Sequence, residues 1–304
     1  MKQPNELNAF AALSQAMADA VEIAAASTVL VDARRRFPAS GIAVAADLVL
    51  TADHVVEREE DIRLLLPDGS QSTATVAGRD PGTDLAVLRL EGASLLPAKH
   101  ATQPARIGQL VLALGRPSPD GIQASLGVIS AQNGPVRTAR GGLLESYLRT
   151  DATPFPGFSG GPLVDASGLI LGINTSGLAQ GMSLTIPAGL AWATATALAQ
   201  YGHIRRGYLG IRSQPVALPV AQQQTLGRDQ ASGLLLVGVE EGGPAAQAGL
   251  LVGDILVGIS GAPLVDPDDL LVHLGGAAVG QPVLLQVLRG GLPLEIAVII
   301  GERK

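Results

Sequence analysis

The chain of 304 residues carries a formal net charge of −6, contains no cysteine, and is 47% hydrophobic. That length suits about two domains, and the missing thiols exclude disulfides, thiolate catalysis and cysteine-based zinc sites. The acidic balance is spread along the chain and offers no basic face for nucleic acid; the one basic cluster, Arg34-Arg35-Arg36, reads as the solvated end of a strand.

Leu7, Phe10, Leu13, Met17 and Val21 recur at helical spacing and predict an amphipathic helix over about 7–26. No apolar stretch reaches the roughly 18 uncharged residues of a membrane span. Met1-Lys2 is followed by Gln-Pro-Asn-Glu, and Asp19 and Glu22 interrupt the next Ala-rich run, so no secretory leader is read. The expectation is a cytoplasmic location for the chain as written, and a periplasmic or extracellular one if the N-terminus is truncated. Residues 28–200 then show short apolar runs, among them Thr28–Val31, Gly41–Ala45, Leu48–Thr51, Ile62–Leu66 and Leu85–Leu90, separated by turn residues such as Pro67-Asp68-Gly69 and Asn133-Gly134. Strands at this spacing predict a closed or sandwiched antiparallel β fold, ended by an Ala-rich helix over 187–199. A short polar, glycine-flanked stretch at 202–207 is the expected linker between a domain over 1–201 and a second over 208–304. In the second, strands are expected over Leu234–Val239, Ile255–Ile259, Val283–Leu288 and Leu294–Ile300. Asp266 followed by Pro267 and Asp268-Asp269 predicts a helix start.

Three segments carry chemistry. Val49–Val56 runs a strand into His54, Asp80–Leu88 places Asp84 at the head of an apolar strand, and Gly157–Gly161 brackets Ser159 with glycines. A serine hydroxyl is a weak nucleophile near neutral pH. It needs a base within hydrogen-bond reach, and the base needs a group that fixes its tautomer. His54 suits the base, Asp84 the orienting carboxylate, and the glycine-rich turn can offer backbone N–H groups to a developing oxyanion. No metal and no cofactor is required.

These segments resemble those of the HtrA/Deg serine proteases: Thr51-Ala52-Asp53-His54-Val55-Val56, Thr83-Asp84-Leu85-Ala86-Val87, and Thr150-Asp151-Ala152 followed by Gly157-Phe158-Ser159-Gly160-Gly161-Pro162-Leu163. The likeness continues through Gly127-Val128-Ile129-Ser130 and Gly172-Ile173-Asn174-Thr175. It implies a mainly β fold, a chymotrypsin-like double β-barrel with an N-terminal helix, and the triad His54, Asp84 and Ser159. It also implies an oxyanion hole from the N–H groups of Gly157 and Ser159. The family has Asn where this chain has Phe158, which puts the orientation of the Gly157–Phe158 peptide in question. The hole is expected to be intact or to form on substrate binding. A specificity pocket walled by Thr153, Pro154, Phe155, Thr175, Ser176 and Gly177 holds no acid, so cleavage after small or medium aliphatic residues is expected.

Gly243-Pro244-Ala245-Ala246 and Gly253-Asp254-Ile255-Leu256, downstream of Gly207-Tyr208-Leu209-Gly210-Ile211, resemble a small α/β PDZ domain. Tyr208, Leu209, Gly210 and Ile211 would form a loop for a C-terminal carboxylate, with the peptide adding as a strand beside the helix that starts at Asp266. The resemblance implies an ATP-independent endopeptidase acting on unfolded or damaged protein and assembled as a homotrimer or larger oligomer, with no nucleic-acid partner. An alternative of another class is a catalytically silent scaffold or chaperone on the same fold.

Overall fold

The computed structural model describes residues 4–138, 143–179 and 182–302. It divides into two compact units, Met1–Ile204 and Arg205–Lys304.

The first unit opens with helix α1, Pro4–Ala25. Only its C-terminal half is seated: Ala20 and Ala24 are buried, while Phe10 and Leu13 stay exposed at 76% and 42%. The side chain of Leu7, the first residue of the expected apolar stripe, lies outside the described residues. Strands β1 (Thr28–Asp32), β2 (Ala39–Ala45), β3 (Leu48–Ala52), β4 (Ile62–Leu65), β5 (Gln71–Asp80) and β6 (Leu85–Leu90) close a barrel in the order β1-β2-β3-β6-β5-β4. Its interior is aliphatic, with Val29, Val31, Val49, Ile62 and Leu88 fully buried. A closed barrel leaves no free sheet edge.

Strands β7 (Leu110–Ser118) and β8 (Gly121–Asn133) follow, then a two-stranded hairpin of β9 (Val136–Arg137) and β10 (Leu143–Leu144). Next come β11 (Tyr147–Thr150), β12 (Pro162–Asp165), β13 (Ile170–Ala179) and β14 (Met182–Pro187). They close a second barrel in the order β11-β14-β13-β12-β7-β8. A shared core lies between the barrels, where Ile42, Leu50 and Leu85 of the first meet Leu114, Ile173 and Ile186 of the second. Helix α2, Ala188–Tyr201, covers that seam through Ala191, Ala195 and Leu198 and ends at Gly202 in the left-handed conformation (φ +78). The site sits where loops of both barrels converge.

In the second unit, β15 (Gly207–Tyr208) pairs β22 (Gly301–Glu302). The main sheet runs β16 (Ile211–Ala217), β17 (Ser232–Val239), β18 (Ile255–Ile259), β20 (Pro282–Arg289), β21 (Leu292–Ile299), with the short β19 (Ala262–Pro263) beside β18. Helices α3 (Val220–Leu226), α4 (Pro244–Gln247) and α5 (Pro267–Val272) complete it. Asp266 caps α5 by accepting from Asp268 N (2.8 Å) and Asp269 N (3.0 Å), and Asp269 returns a carboxylate oxygen to Asp266 N at 3.1 Å. That reciprocal cap satisfies the orphan donors of the first turn. Leu234, Leu236, Leu256 and Leu285 fill the core beneath the sheet.

Candidate active site

His54 sits on a single 3-10 turn, Asp53–Val55, at the end of β3. The turn is clamped from β5. Arg79 Nε donates to the Asp53 carboxylate at 2.7 Å, and Arg79 Nη2 donates to the Val56 carbonyl at 3.0 Å. Asp53 is buried, so its charge needs that cation.

Asp84 is presented by a loop built on another carboxylate. Asp80 accepts from Gly82 N and Thr83 N, each at 3.2 Å, and from Thr83 Oγ1 at 2.7 Å. The tight loop leaves Asp84 at φ +57, a left-handed conformation that Asp tolerates better than most side chains. Asp84 is fully buried and well supplied with donors. Its Oδ1 accepts from His54 N at 2.9 Å, its Oδ2 lies 2.8 Å from His54 Nδ1, and Oδ2 also accepts from Thr175 Oγ1. A carboxylate facing Nδ1 calls for the proton there, which leaves Nε2 free to accept one. Gly177 packs against this pair: a Cβ built on it would lie 2.5 Å from both His54 Nδ1 and Asp84 Oδ2. Any side chain at 177 would force the pair apart.

The nucleophile turn comes from the second barrel. Phe158 N donates to Phe155 O at 3.0 Å across Pro156 and Gly157, and Gly157 has φ +88. Proline at the second position and a positive φ at the third are the marks of a type II turn. Ser40 of β2 pins this turn from the first barrel: its Oγ donates to Gly157 O at 2.7 Å and its N to Ser159 O at 3.1 Å. Among the described residues no protein acceptor takes the N–H of Gly157 or Ser159. Phe158 borders the site but leaves almost no surface exposed in it. Its ring is 1% exposed, buried in the second barrel with Val111, Ile129 and Leu163, and it meets Phe155 edge-on at 5.4 Å. Gly115 makes room, since a Cβ there would lie 2.5 Å from that ring.

His54 and Ser159 line one cavity of about 310 Å³. The structure does not join them directly, because Ser159 Oγ lies 3.2 Å from Ser176 Oγ and makes no bond to the imidazole. Long or unmade catalytic bonds are common without substrate. Of the expected pocket wall, Pro154, Phe155, Thr175 and Ser176 line the cavity. Thr153 does not; its N–H donates to Ser125 Oγ at 2.9 Å, and Gly177 instead backs the His54–Asp84 pair. Asn174 and Ser183 add polar groups to the lining, and no carboxylate is among them. Arg34 also lines the cavity, so the basic cluster is not simply a solvated strand end, although Arg35 and Arg36 are exposed. Burial pulls the Arg34 guanidinium below its usual range, and the charge of Glu57 partly offsets this.

In the second unit, Tyr208, Leu209, Gly210 and Ile211 border a groove of about 570 Å³ whose far wall includes Leu270 and Leu274. Gly210 takes φ +74, and Tyr208 donates its hydroxyl to Glu240. Leu209 turns its side chain into the core. Among the described residues strand β16 pairs only β17, and Ile211, Arg212 and Ser213 of β16 line the groove. Helix α5 ends at Val272, and Leu274 lines the groove from the following turn. Asp254 is held by Arg289, which donates from Nε and Nη2 at 2.8 Å each, and by Leu251 N at 2.9 Å. Burial pushes the Asp254 carboxyl up, but these donors together hold it below the usual range.

Sequence reasoning did not single out Ser40, the bond from Thr175 to Asp84, or the placement of Arg34. The one local signal was a buried serine inside the apolar run Ala39–Ala45.

Residues 39–173 match the trypsin-like peptidase domain family, and residues 207–300 match the PDZ domain family. The chain is 31% identical to the solved HtrA-type protease AlgW with tripeptide, with a TM-score of 0.72 over 95% of this chain and 97% of that one. This chain belongs to the HtrA-type serine proteases. A serine endoprotease structure from Yersinia pestis agrees, with 30% identity and a TM-score of 0.73 over 95% of this chain and 98% of that one. Among curated relatives, a probable periplasmic serine endoprotease, DegP-like, of Pseudomonas putida is 34% identical over 269 residues, or 86% of this chain. A relative of the same description from Halomonas elongata is 34% identical over 88% of this chain. The chain spans only 55% of the length of the first relative and 57% of the second. These relatives do not favour the silent scaffold. They also correct the cytoplasmic expectation, because they are named periplasmic enzymes and point to the periplasm. The expectation rested on a few N-terminal residues, which do not fix a compartment. No helix among the described residues is long and apolar enough to cross a membrane.

Proposed function

We propose that this HtrA-type protein is an ATP-independent serine endopeptidase that cleaves unfolded or damaged polypeptides through an acyl-enzyme. The observation that carries the reading is the buried Asp84, 2.8 Å from His54 Nδ1, with His54 and Ser159 lining one cavity. Ser159 Oγ rotates from Ser176 toward His54 Nε2, gives up its proton and attacks the scissile carbonyl. Asp84 holds the imidazolium that results, and the leaving amine takes the proton back. The N–H groups of Gly157 and Ser159 receive the oxyanion, held in place by the Ser40 bonds to the turn. Pro154, Phe155, Thr175 and Ser176 wall the pocket for the residue before the bond, which favours small or medium aliphatic side chains.

The segment 202–207 serves as the linker, and the second domain captures C-terminal segments. The carboxylate binds at the Tyr208–Ile211 loop and the peptide adds to the open edge of β16. The chain works as a homotrimer or larger assembly, with the exposed Phe10 and Leu13 of α1 available for it.

The test is hydrolysis of unfolded casein by wild type and Ser159→Ala, each with and without a short apolar C-terminal peptide. Cleavage lost only in Ser159→Ala supports the reading, and a peptide-dependent rate gives the second domain a regulatory role. No cleavage by a correctly folded wild type under either condition contradicts it.

A further inference from the structure

Among the described residues Arg34 is the one guanidinium that lines the cavity of the candidate active site, and the proposed reaction gives it no task. Its surroundings fix its place. It begins the turn that links β1 to β2. Ala33, just before it, is tied to the segment following His54, because its carbonyl accepts from Glu57 N (2.9 Å) and Arg58 N (3.3 Å). Pro38, near the turn's far end, abuts the nucleophile loop: a Cβ on Gly157 would lie 2.9 Å from the Pro38 carbonyl oxygen. The guanidinium folds back over its own turn, donating from Nε to Phe37 O and from Nη2 to Pro38 O at 3.4 Å.

Those two carbonyls take part of the planar donor fork and orient it, and among the described residues the rest of the fork has no protein acceptor. Among the described residues no carboxylate lies at ion-pair distance from Arg34. Glu57, whose charge acts on Arg34, accepts instead from Arg35 N at 3.2 Å. A guanidinium stays charged at any working pH. The cavity therefore holds a fixed, half-buried, oriented cation that feels the charge of Glu57 but forms no ion pair with it, in a protein of net charge −6.

Its side of the cavity also matters. Pro154, Phe155, Thr175 and Ser176, all from the second barrel, form the wall assigned to the residue before the scissile bond, whereas Arg34 comes from the first. The leaving amine must lie against His54 to receive its proton. The substrate chain beyond the bond therefore runs past His54 onto the first barrel, where Arg34 stands.

We infer that Arg34 forms a subsite for a substrate carboxylate on the leaving-group side, selecting Asp or Glu at the first or second residue after the cleaved bond. A planar fork with free N–H donors matches a carboxylate in charge and in geometry. This inference rests on the acyl-enzyme reading of Ser159.

The test uses quenched fluorescent peptides that are identical except for Ala, Glu or Lys at each of those two positions, with the cleaved bond located by mass spectrometry. The quantity read is the ratio of kcat/KM for the Glu peptide to that for the Ala peptide. Because it is measured within each protein, it is insensitive to a loss of folded material. Wild type is expected to favour Glu by about fivefold, the scale of a partly exposed ion pair, and to lose the preference in high salt. Arg34→Gln should bring the ratio to about one, and Arg34→Glu should shift the preference to Lys. Ser159-dependent cleavage with no preference for Glu, or the same preference in Arg34→Gln, overturns the inference and leaves the protease reading intact. If no peptide is cleaved in a Ser159-dependent way, both are overturned.

Discussion

The two barrels contribute to one site by different physical means. On the first, the acid–base side is held by charge and hydrogen bonds: Asp84 accepts from two groups of His54 and from Thr175, and Asp53 grips Arg79 below the same turn. On the second, the nucleophile turn is held by its own shape and by two neutral hydrogen bonds from Ser40, with no charge involved. Pro156 and a left-handed Gly157 set its backbone, and the buried Phe158 ring anchors it in the barrel core. Chemistry explains the division. A group that must stabilise a transient imidazolium needs a fixed negative charge, and a buried charge persists only when fully supplied with donors. A turn that must present backbone N–H groups needs a rigid conformation and no charge, which apolar packing and the neutral Ser40 bonds can supply.

Each side can be broken in its own way. The largest effect is expected from Asp84→Asn, which removes the charge and offers His54 a donor in place of an acceptor; kcat should fall by about 10⁴-fold. Steady-state hydrolysis by the folded variant measures it. Phe158→Ala should act on stability first, unfolding the first unit about 3–5 kcal/mol more easily through the cavity it leaves. If shape anchors the turn, its still-folded fraction should also react more slowly at Ser159. Unchanged reactivity there would show that the ring supports the barrel and not the turn. Thr175→Val keeps the volume but deletes one donor to Asp84 and the acceptor of Gly177 N, so kcat/KM should fall by about tenfold and the first unit should lose about 1–3 kcal/mol of stability.

The smallest effect is expected in the second unit, where Asp254 is held by donors but performs no reaction. Its carboxyl lies below the usual range, because the Arg289 and Leu251 hydrogen bonds outweigh the burial that raises it. A depressed folded pKa contributes stability above the unfolded value of about 3.9, and that stability is lost as pH falls through the folded value. Asp254→Asn should cost about 1–2 kcal/mol near neutral pH. It should also flatten the acid limb of the unfolding curve below about pH 4, measured by denaturant titration across pH.

Much of this was legible in the sequence, where function demands particular residues side by side. His54 after an apolar run, Asp84 before one, and Ser159 among glycines are local patterns, as is the cap of α5 at Asp266. Strands β1, β2, β3 and β6 announce themselves as apolar runs. Strand β5 does not: Gln71-Ser72-Thr73-Ala74-Thr75 buries only its small alternate residues, so a short polar stretch hides a barrel strand. The supports were hidden for another reason. Ser40 and Gly157 are 117 residues apart, and Thr175 and Asp84 are 91 apart, so only closure of the barrels makes them partners. Phe158 looked like a threat to the oxyanion turn, because sequence cannot tell whether a ring points at the substrate or into the core. Arg34 was misread for the same reason, since a charge beside a strand end gives no sign of the cavity it faces.

The central claim is that Ser159 is a nucleophile activated by His54. The most direct measurement is peptide mapping by mass spectrometry after treatment of the folded protein with a fluorophosphonate. The account predicts one adduct, on Ser159, formed in wild type and strongly slowed in His54→Ala. A folded wild-type protein with no adduct, or one labelled at the same rate without His54, would contradict it.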